Sequence, residues 1–435
     1  MAAARRVGVK VALVAGEPSG DGLGAGLARA LQKRGVEVVA LGGPRMEAVT
    51  GVASPIPLDE VAVMGFTEVI SALPRLRSHV AAAARWLAET EADIVVTVDA
   101  KGFNNRVVAR AAEELVASGR PVPPRLQYVA PSLWAWSSPG RVARGAKALA
   151  ASAAGVLSVV PMDAPVLAAA VPDLPVTYIG YPAVAGLLAA QRSGGLGSAA
   201  SRVWAGPAER LTIGIYPGSR QQEVRVLLPL FAGVAGRVAR SLGLDAADVD
   251  LHIVAATETI ADRAKAYMGN EPGVEVFRAS MATVHGLGSA MQRQHVALAA
   301  SGTVVPQLVA MGTPTVVAFP GSWLTEHLAR WLTKVSWASL PNILYHEHAS
   351  PDVAKSMGVG ADAPIPEFLF SSALDADGIA AAATRLLADD DARAAQLAVS
   401  SLTTPLLDGP NSRDPSELAA DAVLATVAGD SRLTH

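Results

Sequence analysis

Two glycine–serine turns and one strand-end aspartate are the residues of this chain whose types and spacing best suit chemistry. Gly16-Glu17-Pro18-Ser19-Gly20-Asp21 follows the apolar run Val9–Ala15, and Pro217-Gly218-Ser219-Arg220 follows Leu211–Tyr216. Each junction reads as a strand entering a glycine turn and then a helix, which aims backbone N–H groups at an anion. Ser219 adds a hydroxyl and Arg220 a bidentate phosphate donor. Ser301-Gly302-Thr303 repeats the device after Val296–Ala300. The turns at Gly218 and Gly302, both in the second half, together suit a departing diphosphate neutralised without metal. Plain helix capping is the competing reading at each turn.

Asp99 ends the apolar run Ile94–Val98, where a parallel strand delivers a side chain to the ligand edge of a sheet. A carboxylate there can accept the proton of an attacking hydroxyl. Asn104 and Arg106, just downstream, either hold substrate or begin the next helix. Glu17 repels phosphate and fits loop orientation or sugar hydroxyls better. Ser19 and Asp21 either line the cleft or cap the following helix. His79 and His295 are dispersed, so no metal and no cofactor are expected.

The elements that must position these residues alternate along the chain. Strands are expected at Val7–Ala15, Val36–Leu41, Ile94–Val98, Leu126–Val129, Val156–Val160 and Val176–Ile179, with helices near 20–34, 67–91, 105–118 and 140–150. The second half repeats the pattern, with strands near 211–216, 251–256, 274–277, 296–300 and 314–319. This predicts an α/β protein of two facing Rossmann-like domains with a shared cleft. The soft stretch from Arg192 suggests a boundary near 185–208. The expected organisation is 1–190 for the first domain, 205–375 for the second, and 376–435 for a C-terminal helical segment. A turn at Leu406–Asp414 precedes a last helix, Pro415–Val427.

An apolar fraction of 51% against 17% charged residues indicates a folded chain rather than a disordered one. The net charge of -3 gives no basic footprint for nucleic acid. The absence of cysteine excludes disulfides and thiolate chemistry. Met1–Arg6 reads as a charged lead-in to the first strand rather than a signal peptide. Residues Val296–Thr325 carry no charge, but Gly302, Pro306, Gly312 and Pro314 break the stretch into strand, turn, helix and strand, so no transmembrane span is expected. Val63, Met64, Phe66, Val69, Ile70, Leu73 and Leu76 are interleaved with Arg75, Arg77 and Arg85. This pattern suits either an anionic membrane surface and acyl chains or a buried helix with a solvated face. Trp134-Ala135-Trp136 is a further candidate for an amphipathic wall.

These blocks, taken in order, resemble the lipid-A-disaccharide synthase family of inverting glycosyltransferases with the GT-B arrangement. The matching stretches are Ala15-Gly-Glu-Pro-Ser-Gly-Asp21, Gly43-Pro-Arg-Met46, Val63-Met-Gly65, Val98-Asp-Ala100 with Phe103-Asn104, Pro131-Ser-Leu-Trp-Ala-Trp136, Pro217-Gly-Ser-Arg220 with Glu223-Val224, Ala300-Ser-Gly-Thr303, Ser339-Leu-Pro-Asn342 and Pro366-Glu-Phe-Leu369. The resemblance implies transfer of 2,3-diacylglucosamine from UDP to 2,3-diacylglucosamine 1-phosphate, forming the β-1′,6 disaccharide 1-phosphate of lipid A and UDP. It implies Asp99 as base, Ser219, Arg220, Ser301, Gly302, Thr303, Gln307 and Asn342 on the UDP-sugar, and Glu17, Ser19, Asp21, Asn104 and Tyr181 about the cleft and acceptor. It further implies that 1–190 is the acceptor-binding, membrane-facing domain and 205–375 the UDP-sugar-binding one, with 376–435 either packing back on the first domain or exchanged between the subunits of a homodimer. The enzyme it implies is cytoplasmic and peripherally bound at the inner membrane of a Gram-negative bacterium. Several positions depart from the family pattern. Gly102 replaces an aspartate, Tyr181 a histidine, Gln307 a glutamate, Met162-Asp163 a Phe-Glu pair, and Pro320 an arginine. The alternatives are another UDP-sugar glycosyltransferase or 2-epimerase, and a weakened lipid-binding paralogue.

Overall fold

The computed structural model describes residues 8–58, 69–198, 200, 202–269, 273–278, 284–321, 332–333, 337–348, 364–370 and 373–429, with backbone only at Pro18, 69–74, Lys101, Arg278 and His348. Contacts divide the chain into two units, Met1–Pro182 with Gly409–His435, and Ala183–Asp408.

Each unit is built on a parallel sheet, because its strands are short runs apolar on both faces and are separated by helices. The first sheet comprises β1 (Lys10–Ala15), β2 (Glu37–Leu41), β3 (Ile94–Val98), β4 (Arg125–Tyr128), β5 (Gly155–Ser158) and β6 (Val176–Tyr178), in the order β2-β1-β3-β4-β5-β6. The second comprises β7 (Leu211–Tyr216), β8 (Val249–Ala255), β9 (Val274–Arg278), β10 (Val296–Ala300), β11 (Thr315–Phe319) and β12 (Glu367–Leu369), in the order β12-β11-β10-β7-β8-β9. Strand order therefore reverses direction between β1 and β3 in one unit and between β7 and β10 in the other. Those reversals open the crevices in which doubly wound sheets bind ligands. Among the described residues no helix is long and apolar enough to cross a membrane.

Helices cover both faces of the first sheet. Val11, Leu13, Val96 and Tyr128 pack with Leu27 and Leu31 of the helix Pro18–Gln32 and with Ala419 and Val423 of the helix Pro415–Ala428. On the opposite face, Ala12, Val14 and Val95 pack with Val80, Ala84 and Leu87 of the helix Val69–Glu89 and Val107 of the helix Lys101–Ala117.

Two expected boundaries are drawn differently in the structure. The stretch after Arg192 is not a linker: Gly197 donates its N–H to Gln292 Oε1 at 3.2 Å and accepts from Gln191 and Gln292 at 2.8 and 2.7 Å. It thereby belongs to the second unit, and the division falls at Pro182/Ala183. The helical tail from 376 divides between the two units, its last helix packing back on the first as expected. The helices Ala376–Ala388 and Asp390–Asp408 belong to the second unit, whereas Pro415–Ala428 packs on the first. There Arg34 pairs with Glu417 at 2.7 Å and Asp421 at 2.6 Å.

Candidate active site

In the first unit the reversal between β1 and β3 brings two of the sequence motifs together. Ala15 is in register with Val98, so the turn after β1 lies beside the end of β3. The contact is close enough to require a glycine: a Cβ on Gly16 would lie 2.9 Å from the Ala100 Cβ and 3.0 Å from Phe103 Cδ1. Asp99 and Ala100 both adopt left-handed backbone, with φ of 49° and 38°. Such geometry costs roughly 1–3 kcal/mol per residue and persists only where the surroundings enforce it. Here the Asp99 N–H donates to the Tyr128 carbonyl at 3.0 Å. The buried Asn104 amide donates to the carbonyls of Val98 and Asp99 at 3.0 and 2.9 Å. The exposed Ser19 hydroxyl donates to Asp99 Oδ2 at 3.3 Å.

Around this carboxylate the expected residues sort into different roles. Asn104 is fully buried, and its amide N–H groups shape the Asp99 turn. Glu17 is half-buried at the N-cap position of the helix Pro18–Gln32, without a capping side-chain bond. Tyr181 is half-buried, and its hydroxyl is held well above the ordinary phenol range, by burial first and by the Asp99 charge second. It therefore stays protonated.

Asp21 is a correction. Its Oδ1 accepts the N–H groups of Gly43 and Met46 at 2.9 and 3.0 Å, and its Oδ2 accepts that of Arg45 at 3.0 Å. With 4% of its surface exposed, it anchors the start of the helix Pro44–Thr50 and not its own helix. Both oxygens are engaged by backbone N–H groups of its own unit.

In the second unit the reversal between β7 and β10 likewise joins two turns. Tyr216 is in register with Ala299. Gly218 has φ of 102°, and a Cβ there would meet Glu223 Oε2 at 2.6 Å and the Ala300 Cβ at 3.3 Å. The long helix Gln221–Ser241 starts immediately after, with Arg220 as its N-cap residue. Ser219 and Arg220 are exposed, and Arg220 Nη1 lies 3.3 Å from Glu223 Oε1. Beside them Ser301 is half-buried while Gly302 and Thr303 are exposed. The Ser301 hydroxyl donates to the Ala338 carbonyl at 3.2 Å. Gln307 is half-buried, its amide 3.4 Å from the Ala183 carbonyl.

Asn342 is the second correction. It is 2% exposed and donates to Glu367 Oε1 at 2.8 Å and to the Ile365 carbonyl at 2.9 Å. The residue it serves, Glu367, was not singled out from the sequence by itself. This buried carboxylate accepts the N–H groups of Ala338 and Ser339 at 2.7 and 3.0 Å, as well as the Ser339 hydroxyl. Burial pushes its carboxyl up, while those donors pull the other way. It ties β12 to residues 338–342, and Ala338 in turn holds Ser301. A lone acid in an apolar strand segment is the signal that marks it. A comparable buried set, Arg125, Gln127 and Thr97, braces β3 against β4, with Gln127 donating to the Tyr128 and Val129 carbonyls at 3.2 Å each.

Of the membrane segment, Val63, Met64 and Phe66 lie outside the described residues. Val69, Ile70 and Leu73 lie on the helix Val69–Glu89. Arg75 and Arg77 are exposed on it, whereas Leu76 is half-buried and packs partly against the core.

The profile of the family described as lipid-A-disaccharide synthetase matches residues 11–358. The chain belongs to this family. A lipid-A-disaccharide synthase of Paramagnetospirillum magneticum is 33% identical over 427 residues, covering 95% of this chain and 96% of the relative. One from Nitrobacter winogradskyi is 30% identical and covers 95% of both chains. Among solved structures, Neisseria meningitidis UDP-GlcNAc 2-epimerase bound to UDP-GlcNAc matches at a TM-score of 0.54 with 11% identity, covering 97% of this chain and 100% of that one. The S. aureus MnaA–UDP structure matches at 0.55 with 11% identity and 97% coverage of both. These two likenesses establish the fold alone. As a member of the lipid-A-disaccharide synthase family, the chain is an inverting glycosyltransferase of lipid A biosynthesis with two Rossmann-like units.

Proposed function

We propose that this glycosyltransferase moves 2,3-diacylglucosamine from its UDP carrier to the 6-hydroxyl of 2,3-diacylglucosamine 1-phosphate. Asp99 accepts the hydroxyl proton as that oxygen attacks the anomeric carbon. The bond to the diphosphate breaks on the opposite face, and the electron pair leaves with UDP. The product is the β-1′,6-linked disaccharide 1-phosphate. Ser19 and the left-handed backbone aim the carboxylate, and Tyr181 supplies a protonated hydroxyl beside it. The charge that appears on UDP meets the start of the helix Gln221–Ser241, Ser219 and Arg220, with Ser301, Gly302 and Thr303 alongside. Gln307 is the candidate for a ribose hydroxyl. The work takes place at the cytoplasmic face of the inner membrane, and a homodimer with exchanged C-terminal regions belongs to the same proposal.

The observation that carries this reading is the enforced conformation of Asp99 at the β1/β3 crevice. The test is incubation of the purified chain with both acylated substrates and, separately, with unacylated UDP-N-acetylglucosamine. Disaccharide phosphate and UDP are expected from the former alone. Asp99→Asn should lower kcat by roughly 10²–10⁴-fold, the usual worth of a general base, with KM little changed. Turnover of the unacylated sugar, or no disaccharide from the native chain, overturns the proposal.

A further inference from the structure

Between Glu114 and Asp163 the chain has no acidic residue, although its net charge is -3. The helix Pro139–Ala150 falls in this span and buries one face, with Ala146 and Leu149 packed against Leu133 and Val156. The opposite face places Gly140, Arg144, Lys147 and Ala151 in solvent. Neither Arg144 nor Lys147 forms an ion pair among the described residues. Just before the helix, Trp136 is 37% exposed, with the Arg141 guanidinium 5.1 Å from its ring centroid.

Sheet register fixes which side of the first unit this face is on. Val95 pairs with Arg125 and Gln127 pairs with Val156, and Arg125 and Gln127 point to the same side of β4. Val95 packs under the helix Val69–Glu89 and Val156 under Pro139–Ala150, so both helices cover one face of the sheet. The former contains no acid before Glu89 and exposes Arg75, Arg77 and Arg85. On the other face, by contrast, Arg34 is matched by Glu417 and Asp421.

We infer that Trp136, Arg144 and Lys147 form a second contact with an anionic phospholipid surface, on the same side of the unit as the basic helix Val69–Glu89. Charge complementarity selects the occupant. Unpaired cations on a helix back attract anionic headgroups, and an exposed indole with a stacked guanidinium suits the headgroup layer. Trp136 follows the end of β4, which neighbours β3, so this contact holds the Asp99 edge toward the lipid that supplies the acceptor. The inference rests on the lipid substrates proposed above.

The test is sedimentation of the full chain with phosphatidylcholine vesicles, with and without phosphatidylglycerol. Binding should require phosphatidylglycerol and weaken with salt. R144Q/K147Q should partition roughly 30-fold more weakly, from about 1 kcal/mol for each basic residue near an anionic surface. R237Q/R385Q, the same charge loss in the second unit, should partition as the native chain does. Undiminished binding by R144Q/K147Q, or equal losses in both variants, overturns the inference. Disaccharide formation from detergent-dispersed substrates should be the same for R144Q/K147Q and the native chain. If neither forms disaccharide while R144Q/K147Q still loses vesicle binding, the proposed reaction fails and the surface stands.

Discussion

Asp21→Ala separates an architectural carboxylate from a chemical one. In the structure its two oxygens accept three backbone N–H groups at 2.9–3.0 Å, and the residue is 4% exposed. Losing an ordinary helix cap costs about 0.5–2 kcal/mol. Here three donors lose a charged acceptor, and each buried orphan costs about 1–3 kcal/mol. Arg45 lies near the surface, so water replaces part of its bond; the sum is about 3–5 kcal/mol. For a unit of this size each kcal/mol moves the melting midpoint by about 2–4 °C, so the drop should be about 6–20 °C. Asp21→Asn should fall between, because its Nδ2 would face a donor it cannot satisfy. The assay is thermal melting by circular dichroism, with transferase activity measured well below the transition. Activity per folded molecule should stay within a few fold of the native chain. A variant that melts with the native chain yet has lost activity would refute the capping assignment and return Asp21 to the cleft.

Gly218→Ala should damage nucleotide binding, because a Cβ there meets Glu223 Oε2 at 2.6 Å and the φ of 102° strains any other residue. Inhibition by UDP should weaken about tenfold, equivalent to about 1.4 kcal/mol, and an unchanged UDP inhibition constant would remove the diphosphate from this turn. Acid should destabilise the second unit through Glu209. The Arg202 guanidinium and the Ala205 N–H hold its carboxyl at about 2, below the ordinary 4.5, so the unfolded chain binds the extra proton and stability is lost as pH falls from about 4.5 toward about 2. His295 adds to this at higher pH. Burial, then the Arg202 charge, lowers its imidazole from the ordinary 6.5, so stability also declines as pH drops below about 6.5. Urea midpoints followed across pH should fall on acidification, and Arg202→Gln should flatten the fall below about 4.5; a midpoint that rises with acid contradicts both assignments.

The backbone of the fold was legible in the apolar runs. Ile94–Val98, Leu211–Tyr216 and Val296–Ala300 begin and end where the pattern places them, because strands buried on both faces leave unbroken apolar runs. The last strand, Glu367–Leu369, was not read as one, since three residues with an acid at their head carry too little periodicity. Asp99, Ser219 and Arg220 were legible as strand-end chemistry because a parallel strand always opens toward the same edge.

Residue types and order alone thus determined the two parallel sheets and the edge at which chemistry belongs. Strand order decided the rest. By reversing between β1 and β3, and between β7 and β10, the sheets set Ser19 against Asp99 and Gly218 against Ala300, pairs 80 or more residues apart in the chain. The same packing bound Asp21 and Asn342 to buried groups, because the N–H at Gly43 and the carboxylate at Glu367 needed partners. A carboxylate or amide in a sequence can serve substrate or backbone equally well, and only its neighbours in space select between them.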